Sequence, residues 1–506
     1  MSEPFDYKSI TNLERWMITF TVMLVAVIEV LDMTVVNVSL DQMSGSFGAT
    51  TEQITWVLTA YIVSSAIMMP LSGRLVQLFG RRTLLLITIT GFLAASIMCG
   101  VSTSLGEIVL FRTLQGLFGA SLVPISQYVL RDIFPPQEQG KAMAIWGLGI
   151  MVAPVMGPTL GGYITQHFDW RWIFYINVPV CVVGLILTLS FIPETKREKI
   201  KIDWVGLILM AIGIGCLQVF LDRGNQDDWL QSNFILTLAI TSFVALTFFI
   251  IRGIYKPDNI VKLQLFKERN FTASTIMLAC FAMGLFGIIA LQPMMLERLL
   301  NYPTEVAGLA MGPRGIASAC AMMVIGPLAR KVSARKLVTI GILASLYGTW
   351  GMMHYTIDMS FWDVVKPTLW QGVGLGFVMI PLSTVAFDYL DKRDTAEASG
   401  LFSFGRSLGM SIGISILGTI ATNLTQINWN RLGGFLNPFN PQFVAWAQQQ
   451  HMNIHDPMAI QLAARTLGQQ ANMVAYLDAF KAVFVLLVIM LFMVPLIKKP
   501  QQFEAQ

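Results

Sequence analysis

Charge is what this chain has least of. Only 13% of its 506 residues are Asp, Glu, Lys or Arg, well below the roughly 25% of soluble proteins. That shortage excludes a water-soluble globule of this size. Histidine is scarce as well, with four in the whole chain. No GxxxxGK[ST] phosphate loop or zinc-protease helix occurs. ATP-driven work, enzymatic catalysis and a bound metal or cofactor are therefore not expected. The five cysteines, Cys99, Cys181, Cys216, Cys280 and Cys320, all fall in apolar runs. They read as small packing residues, not disulfides or ligands.

What the chain has instead is apolar length: 55% of it is hydrophobic. Fourteen runs are long enough to span a bilayer, which takes ~20 helical residues. They lie near 16–40, 54–72, 83–102, 107–130, 142–166, 172–192, 202–221, 233–251, 271–296, 304–328, 337–357, 366–390, 399–422 and 473–497. The first is too long for a cleavable signal, carries Glu29 and Asp32, and lacks a small-residue cleavage site. It is expected to remain as the first helix.

Basic residues fall in alternate gaps. Arg74, Arg81 and Arg82 share one gap, Arg131 and Lys141 the next of that set, and Lys331, Arg335 and Lys336 a later one. The short opposite gaps hold only Arg171, Arg223 and Arg298. The positive-inside rule then predicts both termini in the cytoplasm and the long segment 424–471 outside. The glycine-led basic loop Gly73–Arg82 returns as Gly326–Arg335, 253 positions on. Repeated halves mark transporters. The repeat predicts six-helix bundles over 1–200 and 253–506, with two inserted helices over 201–252.

Charges inside the apolar runs are the sharpest local signal. Glu29 and Asp32 stand three residues apart and share a helix face. A charge at mid-membrane costs at least ~2.5–3.5 kcal/mol, and intramembrane acids often serve proton relays. Asp32 reads as a proton site, or else as a structural carboxylate held by Arg112. Glu29 is open between the same two roles. Arg314 and Arg406 lie deep in their runs without an acid nearby, and suit either packing onto helix carbonyls or a substrate cavity. Asn37 is a polar span residue placed to orient Asp32 or a ligand.

The run GLGIMVAPVMGPTLGG (147–162) holds Pro154, Gly157, Pro158, Gly161 and Gly162. Such a helix survives where neighbours satisfy its freed backbone groups, and its glycines admit close apposition. A sliding seam between bundles is expected there. The run resembles the antiporter motif of the major facilitator superfamily. LDMTVVNV (31–38), WVLTAYIV (56–63), FRTLQGLFGA (111–120), DWRWIFYINVP (169–179), DWVG (203–206), LDRGNQDDW (221–229) and LFSFGRSLGMSIG (401–413) resemble further motifs of its 14-span drug:proton antiporter branch. Over nearly its whole length the chain is similar to the EmrB/QacA subfamily, above all to EmrB-type exporters.

The resemblance implies an all-α polytopic protein of the major facilitator fold in a bacterial inner membrane. It implies proton-coupled efflux of hydrophobic or cationic compounds by alternating access, driven by the proton gradient with no cofactor. It implies proton coupling at Asp32, Glu29 and Arg112, and a cavity holding Tyr61 and Gln115. Gly73, Gly80, Arg81 and Arg82 would form a cytoplasmic gate loop. In a double-membrane bacterium a periplasmic membrane-fusion adaptor and an outer-membrane channel would be partners, with segment 424–471 as docking surface or passive insertion. One position departs from the pattern: Gln77 stands where the loop usually carries an acid, so the usual charge-relay latch is not expected. A carrier for one metabolite, lipid or siderophore, and a sensor without net transport, remain the other readings.

Overall fold

A computed structural model of the chain describes residues 10–135, 138–195, 197, 203–256, 260–329, 331–437, 439–449 and 457–498. Among these residues the secondary structure is entirely helical. Twelve helices are long and apolar enough to cross a membrane. Two more have the length to do so, the 29-residue Gln139–His167 and the 19-residue Ala334–Met352. In chain order the fourteen are α1 (Asn12–Phe47), α2 (Glu52–Phe79), α3 (Arg81–Val101), α4 (Leu105–Ile133), α5 (Gln139–His167), α6 (Trp172–Phe191) and α7 (Trp204–Arg223). They continue as α8 (Asn233–Tyr255), α9 (Arg269–Leu299), α10 (Val306–Leu328), α11 (Ala334–Met352), α12 (Phe361–Val385), α13 (Thr395–Gly433) and α14 (Pro457–Met493).

Local sequence explains where the rods start and break. Thr11 caps α1 in a reciprocal box. Its hydroxyl accepts from the Glu14 N–H at 3.2 Å, and the Glu14 carboxylate accepts from the Thr11 N–H at 2.8 Å. At the start of α12 the Asp363 carboxylate accepts from the Ser360 N–H at 3.0 Å and from its hydroxyl at 2.8 Å. Pro70 removes a donor inside α2, and the helix tightens to a 3₁₀ turn over Met69–Leu71. Gly80 bends the chain between α2 and α3 at φ +79°, which a side chain would resist.

Helices α1–α6 pack on one another, and so do α9–α14. Between the groups, α2 and α4 meet α13, while α5 meets α10 and α12. The α2–α13 contacts concentrate at the end of the molecule that carries the basic loops, here the basic end. There the Gly73 backbone lies directly on that of Glu397, and Gly400 faces the Met69 carbonyl. Arg131 donates to the Ser383 carbonyl at 3.1 Å and stacks over Phe387 at 4.4 Å.

The glycine–proline run of α5 differs from expectation. Gly157 backs onto Thr34 and Gly161 onto Val35, both on α1 of the same bundle, and Gly162 lies 3.9 Å from Val38 by its virtual Cβ. The contact of α5 with the other bundle lies nearer the basic end. Gly140 faces Ala329 and the Gly326 carbonyl there, and Gly147 faces Met322 and Ile380. The helix runs unbroken through half-buried Pro154. The side chain of Pro158, like Arg330 of the repeated loop, falls outside the described residues.

The segment 424–471 is mostly helix. α13 continues to Gly433 and α14 starts at Pro457, with a short helix Pro441–Gln449 between them. At 1.5 Å per residue the 39 residues of α13 reach about 58 Å, against a core of about 30 Å. Thr425 donates to Asn472 at 2.9 Å, and Trp429 packs on Gly468, so the two rods form a stalk beyond the membrane.

Candidate functional site

Two connected groups of polar residues lie inside the α1–α6 bundle. The deeper one centres on Asp32. Its carboxylate meets Arg112 Nη1 at 2.6 Å, and both side chains are fully buried. The other carboxylate oxygen accepts from Asn177 Nδ2 at 2.7 Å and Gln115 Nε2 at 3.1 Å. Ser96 Oγ accepts from the same two amides at 2.9 and 2.7 Å. Arg112 Nη1 also donates to Gln115 Oε1 at 2.7 Å, and its Nε to the Val57 carbonyl at 3.3 Å. Five helices, α1 to α4 and α6, thus contribute to one network around this carboxylate. Arg112 Nη2 and Asn177 Oδ1 are buried without a hydrogen-bond partner among the described residues.

The shallower group faces open space. Glu29 sits just under one turn before Asp32 and lines a small cavity of about 50 Å³. The cavity wall also includes Val30 and Met33 of α1, Tyr61, Ile62, Ser65 and Met69 of α2, Val123 of α4, and Arg406, Ser407 and Met410 of α13. Glu29 accepts from the Tyr61 hydroxyl at 3.2 Å. The Tyr61 ring in turn carries the Arg112 guanidinium 4.2 Å from its centroid. Tyr61 therefore touches both groups.

Arg406 comes from the other bundle and interacts electrostatically with Glu29. Its guanidinium lies 5.9 Å from the Trp146 ring centroid, and its Nε has no hydrogen-bond partner among the described residues. An acid on one bundle and a base on the other thus share one cavity.

The remaining sequence candidates divide. Gln115 is wholly buried in the Asp32 network rather than on the cavity wall. Arg314 is buried inside the α9–α14 bundle, where it donates to Gln292 Oε1 at 2.5 Å. Asn37 is exposed and lies more than a turn beyond Asp32, which takes its partners from other helices. Asn177 and Ser96 were missed. Asn177 lies in the quoted INVP segment, but an uncharged amide at the edge of an apolar run gives no signal of its own.

The basic-end loop is a built site too. Arg81 is fully buried, pairs with Asp132 at 2.7 Å and donates to the Pro193 carbonyl at 2.8 Å. Arg82 donates to the Leu189 carbonyl at 2.5 Å. Gln77, the departure noted in the sequence, donates to Glu397 Oε1 at 2.9 Å, and Arg74 lies 3.5 Å from the same oxygen. The carboxylate at this interface is supplied by α13. Among the described residues no cluster of His, Cys, Asp and Glu is arranged to hold a metal ion.

A polar core, a cavity between two helical bundles and a basic-end seam define a membrane transporter. The Major Facilitator Superfamily model matches residues 22–414, and the chain belongs to that superfamily. It is 34% identical over 500 residues to the fatty acid resistance protein FarB of Neisseria gonorrhoeae, covering 98% of each chain. It is 35% identical over 477 residues to the multidrug export protein EmrB of Escherichia coli (strain K12), covering 94% of this chain and 93% of that one. The solved structure of the proton:xylose symporter XylE shares the fold, with a TM-score of 0.63 at 12% identity over 98% of this chain and 99% of that one.

Proposed function

We propose that the protein exports hydrophobic or cationic compounds in exchange for protons by alternating access. The carrying observation is the cavity where Glu29 of one bundle faces Arg406 of the other. A cationic compound and a proton both neutralise Glu29, so occupancy by one opposes the other. Such linkage is reciprocal, and reciprocity is the basis of exchange. The Tyr61 hydroxyl ties Glu29 to the Asp32–Arg112 pair, so a change of charge in the cavity is felt in the bundle core. Glu29 is the group in contact with cargo, and Asp32 the deeper coupling group. The relatives named for multidrug export support this reading.

The basic end faces the cytoplasm of a bacterial inner membrane, and the stalk faces the periplasm. The basic loops support that orientation. The stalk is the surface offered to a membrane-fusion adaptor that leads to an outer-membrane channel. A second cargo class, lipophilic acids, is favoured by the unpartnered Nε of Arg406 and by the relative named for fatty acid resistance.

The test is drug-driven proton flux in proteoliposomes across a panel of cationic, neutral and acidic compounds. Glu29→Gln is expected to abolish flux driven by cations while the protein stays folded. Wild-type flux in that variant would remove Glu29 from the mechanism. Absence of any substrate-driven flux in the wild-type protein would favour a sensor.

A further inference from the structure

The inserted helix α7 occupies a place that the two bundles leave unfilled. α2 and α13 touch mainly along their basic-end halves, and further out α7 contacts both. Its outer half is bound on two sides. Toward α2, Asp222 accepts from the Thr59 hydroxyl. Arg223 Nη1 donates to the Glu52 carbonyl at 3.1 Å and to Thr55 Oγ1 at 3.4 Å, and the guanidinium lies 5.3 Å from the Trp56 ring centroid. Lower down, Gly215 brings the α7 backbone against Ile67 and Val63.

Toward α13 the bonds are uncharged and regularly spaced. Gln218 Nε2 donates to Ser411 Oγ at 2.5 Å, and Ser415 Oγ donates to the Leu221 carbonyl at 2.5 Å. Past the end of α7, Trp229 Nε1 donates to Thr419 Oγ1 at 3.2 Å and Asn225 Nδ2 to Thr422 Oγ1 at 3.5 Å. Positions 411, 415, 419 and 422 recur every three or four residues, so they form one stripe on one helix face. The third side of α7 is covered by α8, where Ser242 donates to the Gly213 carbonyl at 2.8 Å. α8 turns Ile240, Phe243 and Phe248 outward. Polar groups in a bilayer must find protein partners. α7 therefore has a polar seat on each bundle and an apolar cover toward lipid.

We infer that α7 is a lateral seal that travels with α2. It keeps hydrophobic cargo in the outer half of the cavity from escaping sideways into lipid. Its hydroxyl stripe on α13 is the seam that parts when the bundles rock. The asymmetry decides which side parts. On the α2 side two charged side chains of α7, Asp222 and Arg223, are hydrogen-bonded to α2 and Arg223 lies by the Trp56 ring, whereas the α13 side holds neutral bonds along a single helix face. The inference rests on the alternating access proposed above.

The test uses two disulfides in a variant free of native cysteines. One joins Gln218→Cys to Ser411→Cys across the α13 seam, and the other joins Thr59→Cys to Asp222→Cys on the α2 side. Leu221→Cys with Ser415→Cys, and Thr55→Cys with Arg223→Cys, are the second pair for each side should the first fail to fold. The reporter is Ser403→Cys, buried on α13 at the closed basic end. An impermeant maleimide added from the basic side labels it only when that end opens. The α13-side bond should abolish labelling, and reduction should restore it. The α2-side bond should leave labelling unchanged. Labelling that survives the α13-side bond, or is lost with the α2-side bond, overturns the seal. A reporter that never labels in the uncross-linked protein overturns alternating access and the seal together.

Discussion

Asp32 and Glu29 share a helix face, yet their surroundings give them different work. Asp32 has a guanidinium and two amides on its two oxygens, with no cavity contact. Removing its charge leaves Arg112 buried and unpaired, which is expected to cost ~3–5 kcal/mol of stability. Thermal unfolding of Asp32→Asn in detergent should show that loss, together with loss of coupled transport. The double variant Asp32→Asn with Arg112→Gln should recover most of the stability and none of the transport. If the two changes instead add, the pair is not the unit that holds this core together. Both acids and Arg112 were legible in the sequence because a charge inside an apolar run is costly and therefore purposeful. The partnership of Glu29 with Arg406 was not. Pairing across bundles depends on how two distant helices face each other, and neither helix's own pattern carries that information. Arg314 shows the converse. It gives the same signal as Arg406, but its helix turns it into the bundle core toward Gln292 rather than onto the cavity wall.

The existence of the helices could be read from apolar length, and their neighbours only in part. The glycines of α5 announced a close approach, and one exists. The sequence does not say that Gly157 and Gly161 approach α1, because small residues admit any helix equally well. The ends of α13 and α14 were hidden for another reason: past the membrane a helix needs no apolar run, so the hydropathy signal stops before the helix does. At the basic end, Gln77 suggested a missing acid, but Glu397 of α13 supplies one from across the interface. Glu397→Gln should therefore favour the basic-end-open state, read as increased maleimide labelling of Ser403→Cys. Adding Gln77→Glu to that variant should return labelling toward the wild-type level, since the amide and carboxylate have merely changed places. An unchanged rate in Glu397→Gln would show that the backbone contact of Gly73 with α13 closes this end without help from charge.

The molecule extends beyond its membrane-spanning body by the α13–α14 stalk, and the stalk's apex is unlike a surface made only to face water. Phe439 is 93% exposed, Met458 70% and Phe435 62%. Large apolar side chains grouped on a protrusion mark an interaction surface. The stalk stands apart from the Glu29–Arg406 cavity, whose walls come from α1, α2, α4 and the inner part of α13. The rods hold each other through Thr425 with Asn472 and Trp429 on Gly468, so they do not need the apex to stay paired. Replacing residues 435–458 with a short Gly/Ser linker should therefore preserve both bundles, because helix–helix connections of about 2–8 residues close such hairpins. If the apex docks a periplasmic adaptor, the shortened protein should transport normally in proteoliposomes while cells expressing it lose resistance to exported compounds. Adaptor capture by the full-length protein in detergent, and its absence for the shortened one, is the direct reading. Resistance that survives the replacement at normal expression would make the apex a passive insertion. Loss of transport in vesicles as well would mean that the stalk belongs to the moving parts of the carrier and not to its docking surface.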